Sequence, residues 1–166
     1  MYVGDFRKNK GYPILLEAYS KLDNPPPLVC IGKTWENETY ELPPNVHLFE
    51  KWPNNAVLAA WQKSLFGVAP SLWPEPFGIV IIEAFAAGKA VVGSNIGGIP
   101  EIITNSQDGL LSPAGDSNAL AQNLQKLIED EALRNSLATN AQKRSNDFFV
   151  KAVVEKIEAV YYDAIG

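Results

Sequence analysis

The chain is poor in the residues that most often bind metals or form disulfides, with one cysteine and one histidine among 166 residues. A single cysteine cannot form an internal disulfide. Cys30 lies within the apolar run 28–31, which favours a buried structural thiol over a reactive one. His47 lies on a short apolar segment, and one histidine without a cysteine pair does not make a zinc site. We therefore expect no metal site.

Long hydrophobic runs and clusters of basic residues are also missing. No apolar run approaches the roughly 20 residues that a membrane-spanning helix needs. A net charge of −5, with no block of lysine or arginine, argues against nucleic acid as the main partner. The first residues do not resemble a signal peptide, so we expect a cytoplasmic protein. Because folded-looking sequence begins at Met1 itself, we also expect an excised domain or a truncated reading frame.

What the sequence does contain is a regular alternation of short apolar runs with helical patterns. The runs suit buried parallel strands and occur at residues 2–3, 28–31, 46–49, 65–69, 90–93 and 109–111. The alternation predicts one α/β domain over residues 1–166, with a Rossmann-like doubly wound parallel sheet of about six strands, helices on both faces and helices at the C-terminus. Ligands of such sheets bind beyond the carboxyl ends of the strands.

Two of the predicted helices carry expectations about individual side chains. The helix at 53–63 is expected to direct Val57, Leu58 and Trp61 into the core, because these positions share one helical face. The last helix is predicted at 148–162, and a core role is expected for Tyr161 and Tyr162 at its end.

The most informative segment is the predicted helix 78–87 together with the loop before it. The helix is apolar on every side except for Glu83 in its middle, and an apolar helix is normally covered on all sides. Glu75 lies eight residues earlier in the loop. Phe77 and Gly78 leave free backbone N–H groups at the helix start, where the dipole favours an anion.

This combination suits a ligand with hydroxyls for two carboxylates and a negative group for the helix N-terminus, as in a nucleotide sugar. The alternative is structural: Glu75 is then an ordinary loop acid, and a neighbouring lysine or backbone group satisfies Glu83. Residue spacing alone leaves both interpretations open.

Several motifs together resemble the donor-site signature of the family 4 retaining glycosyltransferases of GT-B fold. These are Glu75-Pro76-Phe77-Gly78, Glu83-Ala84, Gly88, Gly97-Gly98-Ile99-Pro100-Glu101, Asp108-Gly109-Leu110-Leu111, Gly115-Asp116, Val3-Gly4 and Lys10-Gly11. The resemblance covers nearly the whole chain and matches the C-terminal, donor-binding domain of that family. It implies an N-terminal acceptor domain elsewhere in the same enzyme, a UDP-, GDP- or ADP-sugar as donor, and no cofactor.

The resemblance also implies roles for residues near the transferred sugar. Glu75 corresponds to the acid that binds the hydroxyls of the sugar beside the reacting centre, and it is the candidate catalytic residue. It would orient the sugar without forming a covalent bond, unlike the paired carboxylates of glycoside hydrolases. Gly97 and Gly98 are expected to allow close backbone approach to the sugar, with a plain turn as the alternative.

Other positions correspond to the nucleotide side of the donor. The N–H groups of Gly78 and Ile79, with Phe77 beside them, are expected to hold the diphosphate. Glu83 is expected to accept hydrogen bonds from the ribose hydroxyls. Trp52 follows the third strand, where the family has its base-recognition loop, and is either a base-stacking residue or a packed surface aromatic.

The opening loop departs from the family pattern at one position. Gly4 and Lys10 match it, and Lys10 is the best candidate for a phosphate-binding cation. The family has an arginine directly after the first glycine, whereas this chain has Asp5, a carboxylate that would repel phosphate. Arg7 and Lys8 are close enough in sequence to substitute, and the alternative is that they belong to a solvated charged loop.

The leading hypothesis is therefore the donor half of a hexosyltransferase, inactive in transfer without its partner domain. A second hypothesis is a non-catalytic nucleotide-sugar-binding or regulatory module, for which Asp5 is the supporting feature. A third is a related GT-B enzyme, such as a glycogen-type synthase or a sugar-nucleotide epimerase. The acceptor is unknown, and association with a membrane surface through the other domain is left open.

Overall fold

The computed structural model describes residues 1–36 and 38–165 and contains a sheet of six parallel strands in those residues. The strands are β1 (Tyr2–Val3), β2 (Leu28–Gly32), β3 (Val46–Glu50), β4 (Gly67–Ala69), β5 (Val91–Ser94) and β6 (Gly109–Ser112). Their order across the sheet is β3-β2-β1-β4-β5-β6. The order reverses between β1 and β4, which opens a crevice at the carboxyl ends of these two strands. The predicted Rossmann-like fold is confirmed.

Seven α-helices connect and follow the strands in the described residues. They are α1 (Tyr12–Tyr19), α2 (Asn54–Lys63), α3 (Ile79–Ala86), α4 (Ile99–Ile102), α5 (Ser117–Glu129), α6 (Glu131–Ser145) and α7 (Val150–Ile165). Short 3₁₀ turns occur at Lys8–Lys10 and Asn146–Phe148. The Asp116 side chain accepts hydrogen bonds from two backbone N–H groups at the start of α5, and the Asp130 side chain accepts one, from Leu133, at the start of α6.

Two clusters of buried side chains cover the faces of the sheet. Residues of α1 and α5 pack on one face, around Leu15 and Leu124. Residues of α2 and α3 pack on the other face, around Trp61 and Phe85.

Cys30 is a free, fully buried thiol in β2, and burial raises its pKa to about 12. The expected structural thiol is therefore confirmed.

Some expectations about individual residues are wrong. Leu58 is exposed although Val57 and Trp61 are buried, because the buried face of α2 is narrower than predicted. The fourth strand begins at Gly67 and not at residue 65, where Leu65 is exposed.

The apolar helices at 78–87 and near the C-terminus are also less covered than expected. Ile79 at the start of α3 is 67% exposed, because it faces the crevice. Tyr161 and Tyr162 are 68% and 70% exposed, so their expected core role is wrong. Their helix, α7, packs against the 3₁₀ turn at Asn146–Phe148 and has no buried side chain within Val150–Ile165.

Candidate functional site

A cavity of about 390 Å³ lies at the carboxyl ends of β1 and β4, where the strand order reverses. Six residues singled out in the sequence line it: Gly4, Lys10, Glu75, Phe77, Gly78 and Ile79. Three chain segments therefore meet here, namely the opening loop, the loop after β4 and the first turn of α3.

The opening loop and the loop after β4 are held tightly together. Gly11 has a positive φ of +70°, and a Cβ atom on it would lie 1.7 Å from the carbonyl oxygen of Pro70. The carbonyl oxygen of Asn9 accepts hydrogen bonds from the amide nitrogens of Leu72 and Trp73, at 2.9 and 3.0 Å. These contacts fix the position of the turn that carries Lys10 relative to the loop that carries Glu75.

Lys10 and Glu75 form an ion pair inside the cavity. The Lys10 ammonium nitrogen lies 2.6 Å from Oε1 of Glu75, and the two side chains are 35% and 19% exposed. The structure thus brings together the expected phosphate-binding cation and the expected sugar-binding carboxylate. Each charge neutralises the other.

Ser71 is a member of this cluster that sequence analysis missed. Its side chain is 5% exposed, and its hydroxyl donates a hydrogen bond of 3.0 Å to Oε1 of Glu75. A lone serine after a strand has no spacing pattern that distinguishes it from any other loop serine. Only its position four residues before Glu75, in the same loop, was available as a signal.

The N-terminus of α3 opens toward the cavity. Gly78 is its N-cap residue and provides no side-chain cap, so the first-turn N–H groups have no side-chain partner in the described residues. A Cβ atom on Gly78 would lie 2.7 Å from Cδ1 of Ile81, so a side chain at this position would require the end of the Ile81 side chain to shift. The positive end of the helix dipole therefore adds to the Lys10 charge.

Glu83 does not line this cavity. It lies one helical turn beyond Ile79, so the two side chains share a face of α3, and Glu83 is half-buried. The ion pairs of the described residues do not include Glu83. A neighbouring lysine therefore does not neutralise it, which removes one of the two arrangements that the structural alternative allowed. Its contact with ribose stays a prediction.

The glycine turn after β5 packs against the loop that carries Glu75. Gly97 has a φ of +58°, and a Cβ atom on it would lie 2.6 Å from the amide nitrogen of Glu75. A Cβ atom on Gly98 would lie 2.6 Å from the carbonyl oxygen of Pro76. The close backbone approach that the structure shows is therefore to this loop, and contact with a sugar stays a prediction.

The sequence comparisons assign this domain to a family. A family model described as "Glycosyl transferases group 1" matches residues 1–144. The chain belongs to the group 1 glycosyltransferases.

Individual relatives of this glycosyltransferase chain are longer than the chain itself. An uncharacterised glycosyltransferase of Methanocaldococcus jannaschii is 30% identical over 165 residues, a match that covers 97% of this chain and 47% of the relative. The chain thus spans about half the length of the curated relatives it matches.

Solved structures share the fold over nearly the whole chain. Anabaena HepE in complex with UDP matches with a TM-score of 0.86 at 25% identity, over 98% of this chain and 48% of that one. The same protein is also solved with UDP-glucose. The C-terminal domain of a group 1 glycosyl transferase from Francisella tularensis matches with a TM-score of 0.76 at 23% identity, over 90% of this chain and 86% of that one.

Arg7 of the glycosyltransferase domain lies outside the cavity lining. Its guanidinium carbon is 4.6 Å from the centroid of the Trp35 ring, and the Lys33 ammonium is 4.1 Å from the same centroid. Sequence analysis did not single out Trp35. Asp5 occupies the position where the family has a phosphate-binding arginine, and the structure does not bring Arg7 to the cavity to replace it. The donor-binding role of Arg7 stays a prediction.

A larger groove of about 640 Å³ lies mostly at the amino ends of the strands, away from these motifs. It is lined chiefly by apolar side chains, among them Leu15, Leu28 and Phe66. Trp52 also borders it and packs on Phe49 at 4.9 Å between ring centroids, as a surface aromatic would. The smaller cavity is the candidate donor site because it holds the charged groups and the open helix N-terminus.

Within residues 1–36 and 38–165, no group of three or more histidine, cysteine or acidic side chains could hold a metal ion. Over the same ranges, the helices are too short or too polar to cross a membrane.

Proposed function

We propose that this chain is the donor-binding half of a hexosyltransferase that moves a sugar from a nucleoside diphosphate sugar to an acceptor hydroxyl, with retention of configuration. The observation that carries the proposal is the meeting of Lys10, Glu75 and the open N-terminus of α3 in one cavity. A cation and free N–H groups suit a diphosphate, and an adjacent carboxylate suits sugar hydroxyls. Membership of the group 1 glycosyltransferases supports the same interpretation.

In the proposed reaction, the bond between the anomeric carbon and the diphosphate oxygen breaks, and its electron pair goes to the diphosphate. The acceptor oxygen bonds to the same face of the anomeric carbon, and its proton passes to the departing diphosphate. Lys10 and the N–H groups of Phe77, Gly78 and Ile79 stabilise the charge that develops on the leaving group. Glu75 orients the sugar and forms no covalent bond with it.

This placement of the diphosphate suggests roles for the other candidate donor-binding residues. Glu83 shares a face of α3 with Ile79, so a nucleoside that continues along the helix from the diphosphate brings its ribose toward Glu83. Gly4 provides close backbone approach beside β1, and Gly97 and Gly98 border the sugar. Arg7 would contact the diphosphate only after leaving the Trp35 ring.

The proposed donor is a UDP-, GDP- or ADP-sugar, and the proposal includes no cofactor. Anabaena HepE, which is solved with UDP and with UDP-glucose, is the reason to test uridine nucleotides first. Because the curated relatives are about twice as long, we place the acceptor site in an N-terminal domain of the same enzyme. The isolated chain is then expected to bind donor weakly and to transfer nothing.

Calorimetric titration of this chain with UDP, GDP and ADP, and then with their glucose and mannose conjugates, tests the proposal. We expect one nucleotide to bind better than the others, and Glu83→Ala to weaken its binding. Glu129→Ala, an acidic residue at the end of α5, is the matched control and should leave binding unchanged. Failure of every nucleotide to bind at millimolar concentration would contradict the proposal, as would multiple-turnover transfer by the isolated chain.

A non-catalytic nucleotide-sugar-binding module is the second candidate, because Asp5 replaces a cation and Arg7 lies on Trp35. Substitution of Glu75 by glutamine in the longer protein separates the two. An enzyme should lose transfer while keeping most of its affinity for the free nucleotide. A binding module shows no transfer before or after the substitution.

A further inference from the structure

The buried hydroxyl of Ser71 lies against the same carboxylate oxygen as the Lys10 ammonium. We propose that Ser71 is a positioning residue, which keeps the Glu75 carboxylate directed at the transferred sugar when the donor diphosphate draws Lys10 away. The inference rests on the proposed function and concerns the same cavity.

The hydrogen-bonding groups around Ser71 determine where its proton points. The Trp73 amide donates to the Ser71 oxygen at 3.2 Å. Three acceptors lie within reach of the hydroxyl: Oε1 of Glu75 at 3.0 Å, the carbonyl of Trp73 at 3.1 Å and the carbonyl of Asn9 at 3.3 Å. The Asn9 carbonyl already accepts two backbone N–H groups. The carboxylate is both the nearest acceptor and the only charged one of the three, so the hydroxyl donates to Glu75.

Lys10 cannot keep this position once a donor is bound. Its ammonium lies in the cavity, 35% exposed, on a long flexible side chain. A diphosphate carries more negative charge than one carboxylate and arrives at the neighbouring helix N-terminus, so the ammonium moves toward it. Ser71 is 5% exposed and is held by backbone contacts, so it stays beside Glu75.

The position of the Glu75 carboxylate matters because a sugar offers its hydroxyls in a fixed geometry. A carboxylate that has lost both partners must be ordered again when the sugar binds, and misplacement by about 1 Å can cost on the order of a hundredfold in rate. Because the Ser71 hydroxyl stays bonded to the carboxylate, the carboxylate does not have to be ordered again when the sugar binds. The effect of Ser71 should therefore appear in the sugar-dependent part of binding and not in the nucleotide-dependent part.

The ratio of affinities for UDP-glucose and UDP, or for the conjugate and nucleotide that bind best, measures this sugar-dependent part. We expect Ser71→Ala to lower the ratio about tenfold, the size of one hydrogen bond to a charged group, while the affinity for the free nucleotide stays within twofold of wild type. The substitution leaves no backbone donor unpaired, because the Trp73 amide also bonds to the Asn9 carbonyl at 3.0 Å. Ser71→Thr keeps the hydroxyl and should restore most of the ratio.

Two controls separate positioning from a general structural effect. Ser145→Ala removes another buried serine hydroxyl, which donates to a backbone carbonyl at the end of α6, and should leave the ratio unchanged. Glu75→Gln should lower the ratio at least as much as Ser71→Ala. Thermal unfolding of each variant shows whether it is folded.

The outcomes distinguish this inference from the proposed function. If Glu75→Gln lowers the affinity ratio of the wild-type chain but Ser71→Ala leaves it unchanged, the proposed role of Ser71 is overturned and the proposed function is not. A parallel loss of affinity for free nucleotide and conjugate in Ser71→Ala also overturns it, because that is the pattern of a structural residue. Absence of any nucleotide binding by the wild-type chain overturns the proposed function and the inference together.

Discussion

The amide nitrogen of Gly98 donates a hydrogen bond of 2.7 Å to the carbonyl oxygen of Glu75 and so joins the turn after β5 to the loop after β4. Together with the contact of Gly97 against the Glu75 amide, this bond holds the backbone of Glu75 from one side. The packing of Gly11 against Pro70 holds the same loop at a second point. The backbone that presents the candidate catalytic residue is therefore fixed by two neighbouring turns.

Gly97→Ala should destabilise the protein by more than the strain of an alanine in a left-handed conformation, because the new methyl group also meets the loop that carries Glu75. The new Cβ atom would lie 2.6 Å from the Glu75 amide, in a residue with φ of +58°. We expect the free energy of unfolding to fall by about 2–4 kcal/mol, with loss of the affinity difference between conjugate and free nucleotide. Chemical denaturation and calorimetric titration measure the two effects.

Gly88→Ala is the matched control for this variant. Gly88 has a similar φ of +69°, but a Cβ atom there comes no closer than 3.5 Å to a neighbouring side chain. It should therefore cost only the strain of a left-handed residue, about 1–2 kcal/mol, and leave the affinity difference intact. Equal effects of the two substitutions would contradict the contact with Glu75 as the cause.

Lys10→Ala should lower the affinity for the free nucleoside diphosphate about ten- to hundredfold, as expected for loss of a charged hydrogen bond to phosphate. Arg7→Ala should change it less than about threefold, because the half-buried Arg7 side chain lies on Trp35 and outside the cavity lining. Titration of both variants with the best-binding nucleotide makes the comparison. A larger effect of Arg7 would show that the side chain leaves Trp35 on binding and would support its predicted role as a substitute cation.

Asp5→Arg should raise the affinity for a nucleoside diphosphate by roughly three- to tenfold at low ionic strength and by less at high ionic strength, because salt screens the added charge. Asp23→Arg makes the same charge change in the loop after α1, away from the cavity lining, and should leave the affinity nearly unchanged. Equal gains from both variants would attribute the effect to net charge and not to the position beside Gly4.

Asp108→Asn should affect stability in a pH-dependent way. Burial raises the pKa of the Asp108 carboxyl above its ordinary value, and its Oδ1 accepts a hydrogen bond of 2.8 Å from the Thr104 amide. A raised pKa in the folded state means that the ionised form destabilises the fold, and that this cost is lost as the pH falls through the raised value. Asparagine keeps the oxygen acceptor without the charge.

The variant should therefore gain stability relative to wild type near neutral pH, and the gain should shrink as the pH falls toward the ordinary pKa of an aspartate. Denaturant unfolding at several pH values measures this difference. Asp23→Asn, at an exposed position, should show no such trend. A gain that grows on acidification would contradict the sign of the shift.

Much of this fold could be predicted from sequence because local patterns determine it. The continuous apolar run at Leu28–Gly32 has the composition of a strand buried on both faces, and the glycine-flanked turns define where strands end. The motif from Glu75 to Gly78 likewise indicates a loop and an uncapped helix start. These features depend on neighbouring residues, so they are visible without tertiary structure.

Other features depend on contacts between distant segments and could not be predicted. Lys10 and Glu75 are 65 residues apart, and only the packing of two loops brings their side chains to 2.6 Å. The contact between Ser71 and Glu75 forms only in the folded loop, and the sequence around Ser71 does not distinguish it from other loop serines. The stacking of Arg7 on Trp35 depends on a side-chain rotamer, which sequence periodicity does not determine.

If the cavity is the proposed donor site, the ion pair between Lys10 and Glu75 has a consequence for the kind of molecule that binds there. A free phosphate compound must separate the two charges and gives nothing to the carboxylate in return. A free sugar offers hydroxyls to a carboxylate that already has a strong partner. A molecule that carries both a phosphate group and a sugar replaces both partners at once: the phosphate takes the place of Glu75 beside Lys10, and the sugar hydroxyls take the place of Lys10 beside Glu75. In the proposed donor site, discrimination between the intact donor and its two fragments therefore begins with the ion pair itself, because either fragment alone must break it and replaces only one of the two partners.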